Sequence, residues 1–158
     1  MKQEFIDALI GICGKDYVYS AKEDVSGYLY DETEEYVRPK ACEDCLVVRP
    51  GTYEEVSKIL QWANETKTPI IPRGGGTGAC GAAIPTIPSV IMSMERFKDI
   101  VEVDETNMMI TCQTGVTLAK LNEYLNENVT LCTSPAIPAT RAPRWAACAS
   151  RTPAASGP

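Results

Sequence analysis

The chain contains 158 residues, 44% of them hydrophobic and 23% charged, which predicts one globular module and excludes collagen, coiled coil and wholesale disorder. Its 21 acidic and 15 basic residues give a net charge of −6, and without clustered cations no nucleic-acid partner is expected. No apolar run approaches the roughly 18 residues of a transmembrane segment, and the N-terminus lacks the pattern of a signal peptide, so we expect a cytoplasmic protein.

The first third of the chain predicts a helix, a loop and a strand. A set of apolar residues repeats at helical spacing and predicts a helix that stops near Gly14. The set is Phe5, Ile6, Leu9, Ile10 and Cys13. Residues 28–39 are polar and acidic without clear periodicity, which predicts a loop. Residues 46–48 form a short apolar run, which predicts a strand that ends at Arg49-Pro50-Gly51.

The next segments predict a second helix, four strands and a third helix. Thr52 and Glu55 form a capping box at the start of a helix. Its apolar face is predicted to carry Val56, Ile59, Leu60 and Ala63. Residues 69–72 predict a brief strand, and residues 90–94 predict another. Residues 100–103 and 108–112 predict an antiparallel hairpin joined by the polar turn 104–107. Leu118, Leu121, Tyr124 and Leu125 then repeat with the period of an amphipathic helix.

A dense glycine run, Arg-Gly-Gly-Gly-Thr-Gly-Ala-Cys-Gly at 73–81, follows the brief strand directly. Glycines allow positive φ angles and bring successive backbone N–H groups close to a bound anion. The adjacent arginine and the threonine hydroxyl within the run also favour binding of an anion. We therefore predict a diphosphate-binding loop, with a flexible turn as the alternative. Its cofactor-binding residues are Arg73, Gly74, Gly75, Gly76, Thr77, Gly78 and Gly81.

The residues that follow the glycine run limit which class of phosphate-binding loop it can be. A Walker loop is excluded because no Gly-Lys-Ser/Thr follows. Gly76-x-Gly78-x-x-Gly81 matches the dinucleotide fingerprint, but that fingerprint requires a helix immediately afterwards. Pro85 and Pro88 interrupt this segment, so nicotinamide binding is the second choice.

Seven scattered cysteines indicate a reducing compartment rather than a disulfide framework. The sequence contains no histidine, which excludes Ser-His and Cys-His nucleophile pairs and zinc sites that contain histidine. Only Cys42-x-x-Cys45 is compatible with metal or redox chemistry. Because no second pair exists, we interpret these as structural thiols leading into a strand and predict no metal site.

Several motifs occur in a distinctive order: Val-Val-x-Pro at 47–50, Glu-Glu-Val at 54–56, Pro-Ile-Ile-Pro-Arg-Gly-Gly-Gly-Thr-Gly at 69–78, Ser-Met-Glu-Arg-Phe at 93–97, Ile-Val-Glu-Val-Asp at 100–104 and Gln-Thr-Gly-Val-Thr-Leu-Ala-Lys-Leu-Asn at 113–122. Together they resemble the FAD-binding domain of vanillyl-alcohol-oxidase-type flavoenzymes. Within that group they are similar to the D-lactate dehydrogenase and glycolate oxidase flavoprotein branch. The resemblance covers about residues 20–132.

This resemblance implies an α+β fold, a two-lobed FAD-binding type-2 (PCMH-type) domain that is incomplete at its C-terminus. Residues 73–78 match the family loop that wraps the FAD diphosphate, and Gly81 ends that motif. Some members attach the flavin covalently to a histidine at the position of Thr77. Because threonine stands there, we expect non-covalent FAD.

The implied activity is that of an FAD-linked 2-hydroxy-acid dehydrogenase or oxidase. Its partners are a small 2-hydroxy acid of the D-lactate or glycolate type, which gives a hydride to FAD, and a separate electron acceptor. In the family the substrate-binding cations and the base come from a later domain, so no catalytic residue is assigned and this chain alone should lack the catalytic part. The alternative is a truncated, non-catalytic nucleotide-binding module.

The composition changes at residue 133. Residues 133–158 contain eight Ala and five Pro but no Asp, Glu or Lys, whereas 1–132 is predicted to be the N-terminal part of the FAD-binding domain. A disordered Ala/Pro linker is one interpretation. The other is a frameshift, because the codons of 134–138, 145–147 and 152–155 permit Pro-Gly-Asp-Pro, Gly-Gly and Asn-Ala-Ser-Gly in one alternative frame. In that case the tail is disordered, and the chain as given should fold poorly and bind FAD weakly or not at all.

Overall fold

The computed structural model describes residues 3–128. The predicted tail at 133–158 lies outside the described residues. A short 3₁₀ turn at Lys15–Tyr17 follows the first helix. Helices and strands follow one another in this order: α1 (Gln3–Cys13), β1 (Val18–Tyr19), α2 (Lys22–Ser26), β2 (Leu46–Val48), α3 (Tyr53–Thr66), β3 (Ile70–Arg73), β4 (Val90–Ser93), β5 (Ile100–Asp104), β6 (Met109–Cys112) and α4 (Leu118–Asn128).

Two sheets organise the described residues. The first has the strand order β1-β2-β4-β3, in which β2, β4 and β3 are parallel and β1 is an antiparallel edge strand. Ile91 in the central strand lies between Val47 and Ile71 of its two neighbours. The second sheet is the antiparallel β5–β6 hairpin. This arrangement confirms the predicted α+β class and the predicted hairpin.

Strands β2 and β4 are fully buried and almost entirely apolar because both faces of the sheet are covered there. On one face, Leu46, Val48, Val90 and Met92 pack against residues of α1 and α3. On the other face, Val47 and Ile91 pack against α2 and the segment that follows it. A buried three-layer core therefore fixes the positions at which the three parallel strands end.

Helix α3 begins at the predicted cap. The Thr52 hydroxyl accepts a hydrogen bond from the Glu55 amide at 3.2 Å. The Glu55 carboxylate accepts from the amide of Gly51, at 2.7 Å, one residue before the usual partner in a capping box. Ile59 and Ala63 are buried as predicted, but Leu60 is 47% exposed, so its assignment to the buried face was wrong. Leu60 directly follows Ile59, and a step of one residue rotates a side chain by about 100° around a helix.

The sequence interpretation missed β1 and α2. Both are short: β1 has two residues and α2 has five. Such lengths do not produce a readable period. The other predicted elements are present, and residues 28–39 contain neither helix nor strand, as predicted.

Candidate functional site

The glycine run lies at the carboxyl edge of the parallel sheet. Arg73 is the last residue of β3, and its register partner, Ser93, is the last residue of β4. Neither helix nor strand follows before residue 90, so the helix required by the dinucleotide fingerprint is absent between residues 74 and 89. We call residues 74–81 the glycine loop.

The first three residues of the glycine loop present backbone donors without partners. Among the described residues, the amides of Gly74, Gly75 and Gly76 donate to no acceptor. Gly75 is exposed, and Gly74 and Gly76 are partly exposed. Successive N–H groups that are accessible and unpaired are the donors that a phosphate oxygen requires. Thr77, by contrast, is buried.

The Arg73 side chain lies inside the loop. The residue is only 9% exposed, and its guanidinium lies 5.8 Å from the centre of the Tyr28 ring. Gly76 has a φ of 69°, and a Cβ on that residue would overlap the guanidinium. Nη2 donates to the Gly27 carbonyl at 3.5 Å, whereas Nη1 has no hydrogen-bond partner. Burial lowers the pKa of Arg73, and attraction to Asp31 opposes that effect.

The acidic loop at residues 28–39 contacts the glycine loop, a contact that sequence reasoning missed. The Glu32 amide donates to the Gly78 carbonyl at 2.9 Å, and the Gly81 amide donates to the Thr33 hydroxyl at 2.6 Å. Asp31 accepts from the Thr33 amide through Oδ1 at 3.0 Å, while its Oδ2 is buried without a partner. Asp31 and Thr33 are buried and Glu32 is exposed. The Asp-x-Thr spacing was the available signal, because these residue types form local turns.

A cleft of about 170 Å³ separates the start of the glycine loop from the segment after β6. Its lining residues are Gly74, Gly75, Glu95, Lys98, Thr114, Gly115, Val116 and Thr117. Gly115 donates to the Phe97 carbonyl at 2.8 Å, and a Cβ on Gly115 would overlap the carbonyl oxygen of Met94. The hairpin segment can approach the parallel sheet this closely because residue 115 has no side chain.

A polar cluster beside the cleft was also missed by sequence reasoning. Glu95 accepts from the Ser93 hydroxyl at 2.9 Å and pairs with Arg49 at 3.2 Å. Arg49 Nη1 donates to the Tyr19 hydroxyl. Burial and then a hydrogen bond to Glu95 raise the pKa of Tyr28 to about 12. The cluster connects the carboxyl ends of β2 and β4 with the aromatic ring that faces Arg73.

Cys42 and Cys45 lie at the opposite edge of the sheet, before β2. The Cys45 thiol is buried, donates to the Cys42 carbonyl at 3.2 Å and lies 3.6 Å from the Ser89 hydroxyl. Burial raises the pKa of Cys45, which disfavours the reactive thiolate. Between residues 3 and 128, no group of three or more Cys, Asp and Glu side chains is arranged to hold a metal ion.

Comparison with known proteins identifies the family. Residues 45–140 match the FAD binding domain family, which is more than half of the chain, and the chain belongs to this family. The match confirms the predicted resemblance and FAD as the cofactor; the non-covalent mode stays a prediction.

The curated relatives are longer proteins, and this chain aligns with only a small part of each of them. The chain is 45% identical over 96 residues to D-lactate dehydrogenase of Archaeoglobus fulgidus, covering 61% of this chain and 21% of the relative. It is 37% identical over 89 residues to glycolate oxidase subunit GlcD of Bacillus subtilis, covering 56% and 18%. It is 35% identical over 82 residues to mitochondrial D-2-hydroxyglutarate dehydrogenase of Danio rerio, covering 52% and 15%. The chain thus spans about a fifth of these relatives' length.

Solved structures support the fold. A structure of p-cresol methylhydroxylase with substrate bound aligns with a TM-score of 0.68 at 22% identity, covering 81% of this chain and 25% of that one. An alkyldihydroxyacetonephosphate synthase aligns with a TM-score of 0.66 at 24% identity, covering 80% and 25%. These likenesses confirm the predicted PCMH-type FAD-binding fold. Within the described residues, no helix is both long and apolar enough to cross a membrane.

Proposed function

We propose that this chain is the FAD-binding part of a flavin-dependent oxidoreductase that oxidises a small 2-hydroxy acid by hydride transfer to FAD. The observation that carries the proposal is the set of three partnerless glycine amides at the carboxyl edge of the sheet, in a chain that belongs to the FAD binding domain family. Ligands of open sheets with parallel strands commonly bind outside these strand ends.

The residues present fit the diphosphate of FAD. Gly74, Gly75 and Gly76 would donate backbone hydrogen bonds to its oxygens, and the absence of Cβ atoms allows the backbone to approach closely. The buried Arg73 guanidinium beneath Gly76 adds a positive charge behind these donors. Thr77, Gly78 and Gly81 complete the proposed loop. When bound, FAD supplies the hydride acceptor.

The substrate class follows from the names of the relatives. D-lactate, glycolate and D-2-hydroxyglutarate are all 2-hydroxy acids. The corresponding reaction would convert the 2-hydroxy acid to a 2-oxo acid, with a hydride leaving the carbon that carries the hydroxyl group and the hydroxyl proton leaving to a base that is not assigned in this chain. A separate acceptor would finally take the two electrons. We assign no catalytic residue in this chain, and the cytoplasmic location stays a prediction.

A non-catalytic nucleotide-binding module is the second candidate. It is favoured by the described residues alone, because they present diphosphate donors at the glycine loop and none of them is assigned a catalytic role. In that case the chain would bind a nucleotide diphosphate at the glycine loop without oxidising a substrate.

Flavin spectroscopy separates the two candidates. A complete version of the protein, which carries both the FAD binding domain and the later substrate-binding domain that the resemblance implies, should purify with flavin absorbance. Anaerobic addition of D-lactate, glycolate or D-2-hydroxyglutarate should bleach the oxidised flavin band. Bound FAD that none of these acids reduces would favour the non-catalytic module, and a protein without flavin that fails to take up added FAD would contradict both the enzyme and the FAD site.

The mode of attachment has a separate test. Thr77 in the glycine loop and the absence of histidine from the sequence support non-covalent FAD. Acid precipitation should release the yellow chromophore into the supernatant. Colour that stays with the pellet would contradict the proposal. The flavin would then be covalently bound, and the seven cysteines would be the candidate points of attachment.

We also propose that residues from about 133 onward are a frameshifted reading of a second flavin-binding segment. These residues lie outside the described range, and the proposal depends on the permitted codons alone. Sequencing the gene tests it: the alternative frame after the codon of Leu131 should encode Pro-Gly-Asp-Pro and Gly-Gly. A frame without these motifs would leave the Ala/Pro linker as the interpretation.

A further inference from the structure

The acidic loop holds the C-terminal half of the glycine loop by two hydrogen bonds. The Glu32 amide binds the Gly78 carbonyl, and the Thr33 hydroxyl binds the Gly81 amide at 2.6 Å. Gly81 has a φ of 73°. The end of the glycine loop is thereby fixed from outside the loop, whereas its start is fixed by β3.

The same short segment places a carboxylate next to the loop interior. Asp31 is 8% exposed, and its Oδ2 atom would lie 3.5 Å from a Cβ built on Gly78. Within residues 3–128, this oxygen has no hydrogen-bond partner, and neither does Nη1 of the buried Arg73 guanidinium. The two groups attract each other electrostatically. Opposite charges buried in one small region lower the cost of burying each of them.

We propose that residues 31–33 form a positioning element for FAD binding: Thr33 and the Glu32 amide hold the loop end, and Asp31 holds Arg73 beneath Gly76. The first constraint acts on the backbone of Gly78 and Gly81, and the second acts on the Arg73 guanidinium. They would order the backbone conformation of Gly74, Gly75 and Gly76 while leaving the amides of these three residues unpaired. A loop ordered before binding loses less conformational entropy when the diphosphate arrives. This inference rests on the proposed FAD site and extends it to residues that lie outside the glycine run.

Substitutions at Thr33 test the first constraint in the version that carries the complete domain. Thr33→Val keeps the shape but removes the acceptor, and Thr33→Ser keeps the hydroxyl. In the FAD-free protein, Thr33→Val should accelerate amide hydrogen exchange of the peptide that covers residues 74–84 by about tenfold, and Thr33→Ser by less than about twofold. Thr86→Val, at an exposed threonine, is the control. Unchanged exchange in Thr33→Val, or equal acceleration at β2 and β4, would overturn the proposal.

Affinity for FAD is the second measurement. Thr33→Val should raise the dissociation constant of FAD about fivefold, and Thr33→Ser should restore it. Asp31→Asn should also weaken binding, while Glu34→Gln, at an exposed residue outside the positioning element, should not. If the unsubstituted protein binds FAD and all four variants bind it equally well, the positioning role is wrong and the FAD site stands. If the unsubstituted protein takes up no FAD, the proposed function itself fails, whatever the exchange data show.

Discussion

The two edges of the parallel sheet differ in how completely their polar groups are paired. At the amino edge, the Cys42 amide donates to Pro85, the Leu46 amide donates to Ser89, and the Ser89 hydroxyl donates to Ile87. At the carboxyl edge and in the loop beside it lie the buried side-chain atoms that have no partner among the described residues: Asp31 Oδ2, Arg49 Nε and Arg73 Nη1. The unpaired amides of the glycine loop follow the same edge.

This difference separates an edge whose polar groups are paired within the protein from the edge at which we propose that FAD binds. Buried polar groups in folded proteins are almost always hydrogen-bonded, so unpaired groups concentrated in one place need a reason. A ligand diphosphate supplies acceptors for the loop amides. The amino edge needs no such ligand, although it contains the Cys-x-x-Cys pair that the sequence first suggests as a metal site.

The largest expected difference between the edges is in flavin affinity. Gly75→Val places a branched side chain on the exposed start of the glycine loop and should weaken FAD binding at least about 100-fold, because the diphosphate can no longer approach the backbone. The double substitution Cys42→Ala with Cys45→Ala should leave affinity nearly unchanged. Fluorescence titration of the complete-domain version with FAD measures both. Stoichiometric zinc or iron that is lost in the double variant would contradict the structural role of the cysteines.

Gly115 tests the wall of the cleft that faces the glycine loop. Gly115→Ala should lower the free energy of unfolding by about 1–3 kcal/mol, because the new methyl group meets the carbonyl oxygens of Met94 and Phe97, which belong to rigid backbone. Gly27→Ala is the control, since nothing lies within 4 Å of its Cβ position. Denaturant unfolding compares the two. Equal stability of both variants would mean that the segment after β6 does not pack as described.

Two buried serines, Ser89 immediately before β4 and Ser93 at its end, sharpen the comparison when each is replaced by alanine. Ser89 and Ser93 are both 0% exposed and hydrogen-bonded. Replacing either by alanine should cost about 1 kcal/mol of unfolding free energy. Only Ser93→Ala should also weaken FAD binding, by a few fold, because Ser93 holds Glu95 beside the cleft. If Ser89→Ala weakens FAD binding as much, the two edges are not functionally distinct.

The smallest expected effect is on the stability of the protein at alkaline pH, and it arises from Tyr28. Its pKa is raised from 10.0 to about 12 in the folded protein, so the folded state keeps a proton that the unfolded state loses in this range. The resulting stabilisation is complete below pH 10 and is lost as the pH rises toward 12. Tyr28→Phe should therefore flatten the fall of unfolding free energy over that window. Parallel slopes for the two proteins would mean that the phenol is not buried against Glu95.

Most of the scaffold could be predicted from the sequence, because its longer elements carry clear local signals. The helical period of Leu9 and Cys13, the cap at Thr52 and the continuous apolar run at 46–48 each predict the observed element. The position of the glycine loop followed from the brief strand predicted at 69–72, which the structure places at Ile70–Arg73. Leu60 shows the limit of this reasoning: it neighbours a buried residue on the helix and still lies largely in solvent.

The supporting residues of the candidate site could not be predicted, because their roles depend on contacts between distant segments. Thr33 and Gly81 are 48 positions apart, and Arg49 and Tyr19 are 30 apart. Neither pair belongs to a motif with regular spacing. The acidic loop was recognised as a loop, but only the folded chain brings its buried side chains against the glycine run.

The packing of Arg73 beneath Gly76 means that the residue allowed at position 76 depends on the residue at position 73. Any side chain at 76 needs the volume that the guanidinium fills, and its φ of 69° disfavours every residue except glycine. Relatives in which position 76 is not glycine should therefore have lost the arginine at position 73 as well. In a sequence alignment the two positions should covary, whereas position 75, which the proposed site places next to the diphosphate, should remain glycine independently of both.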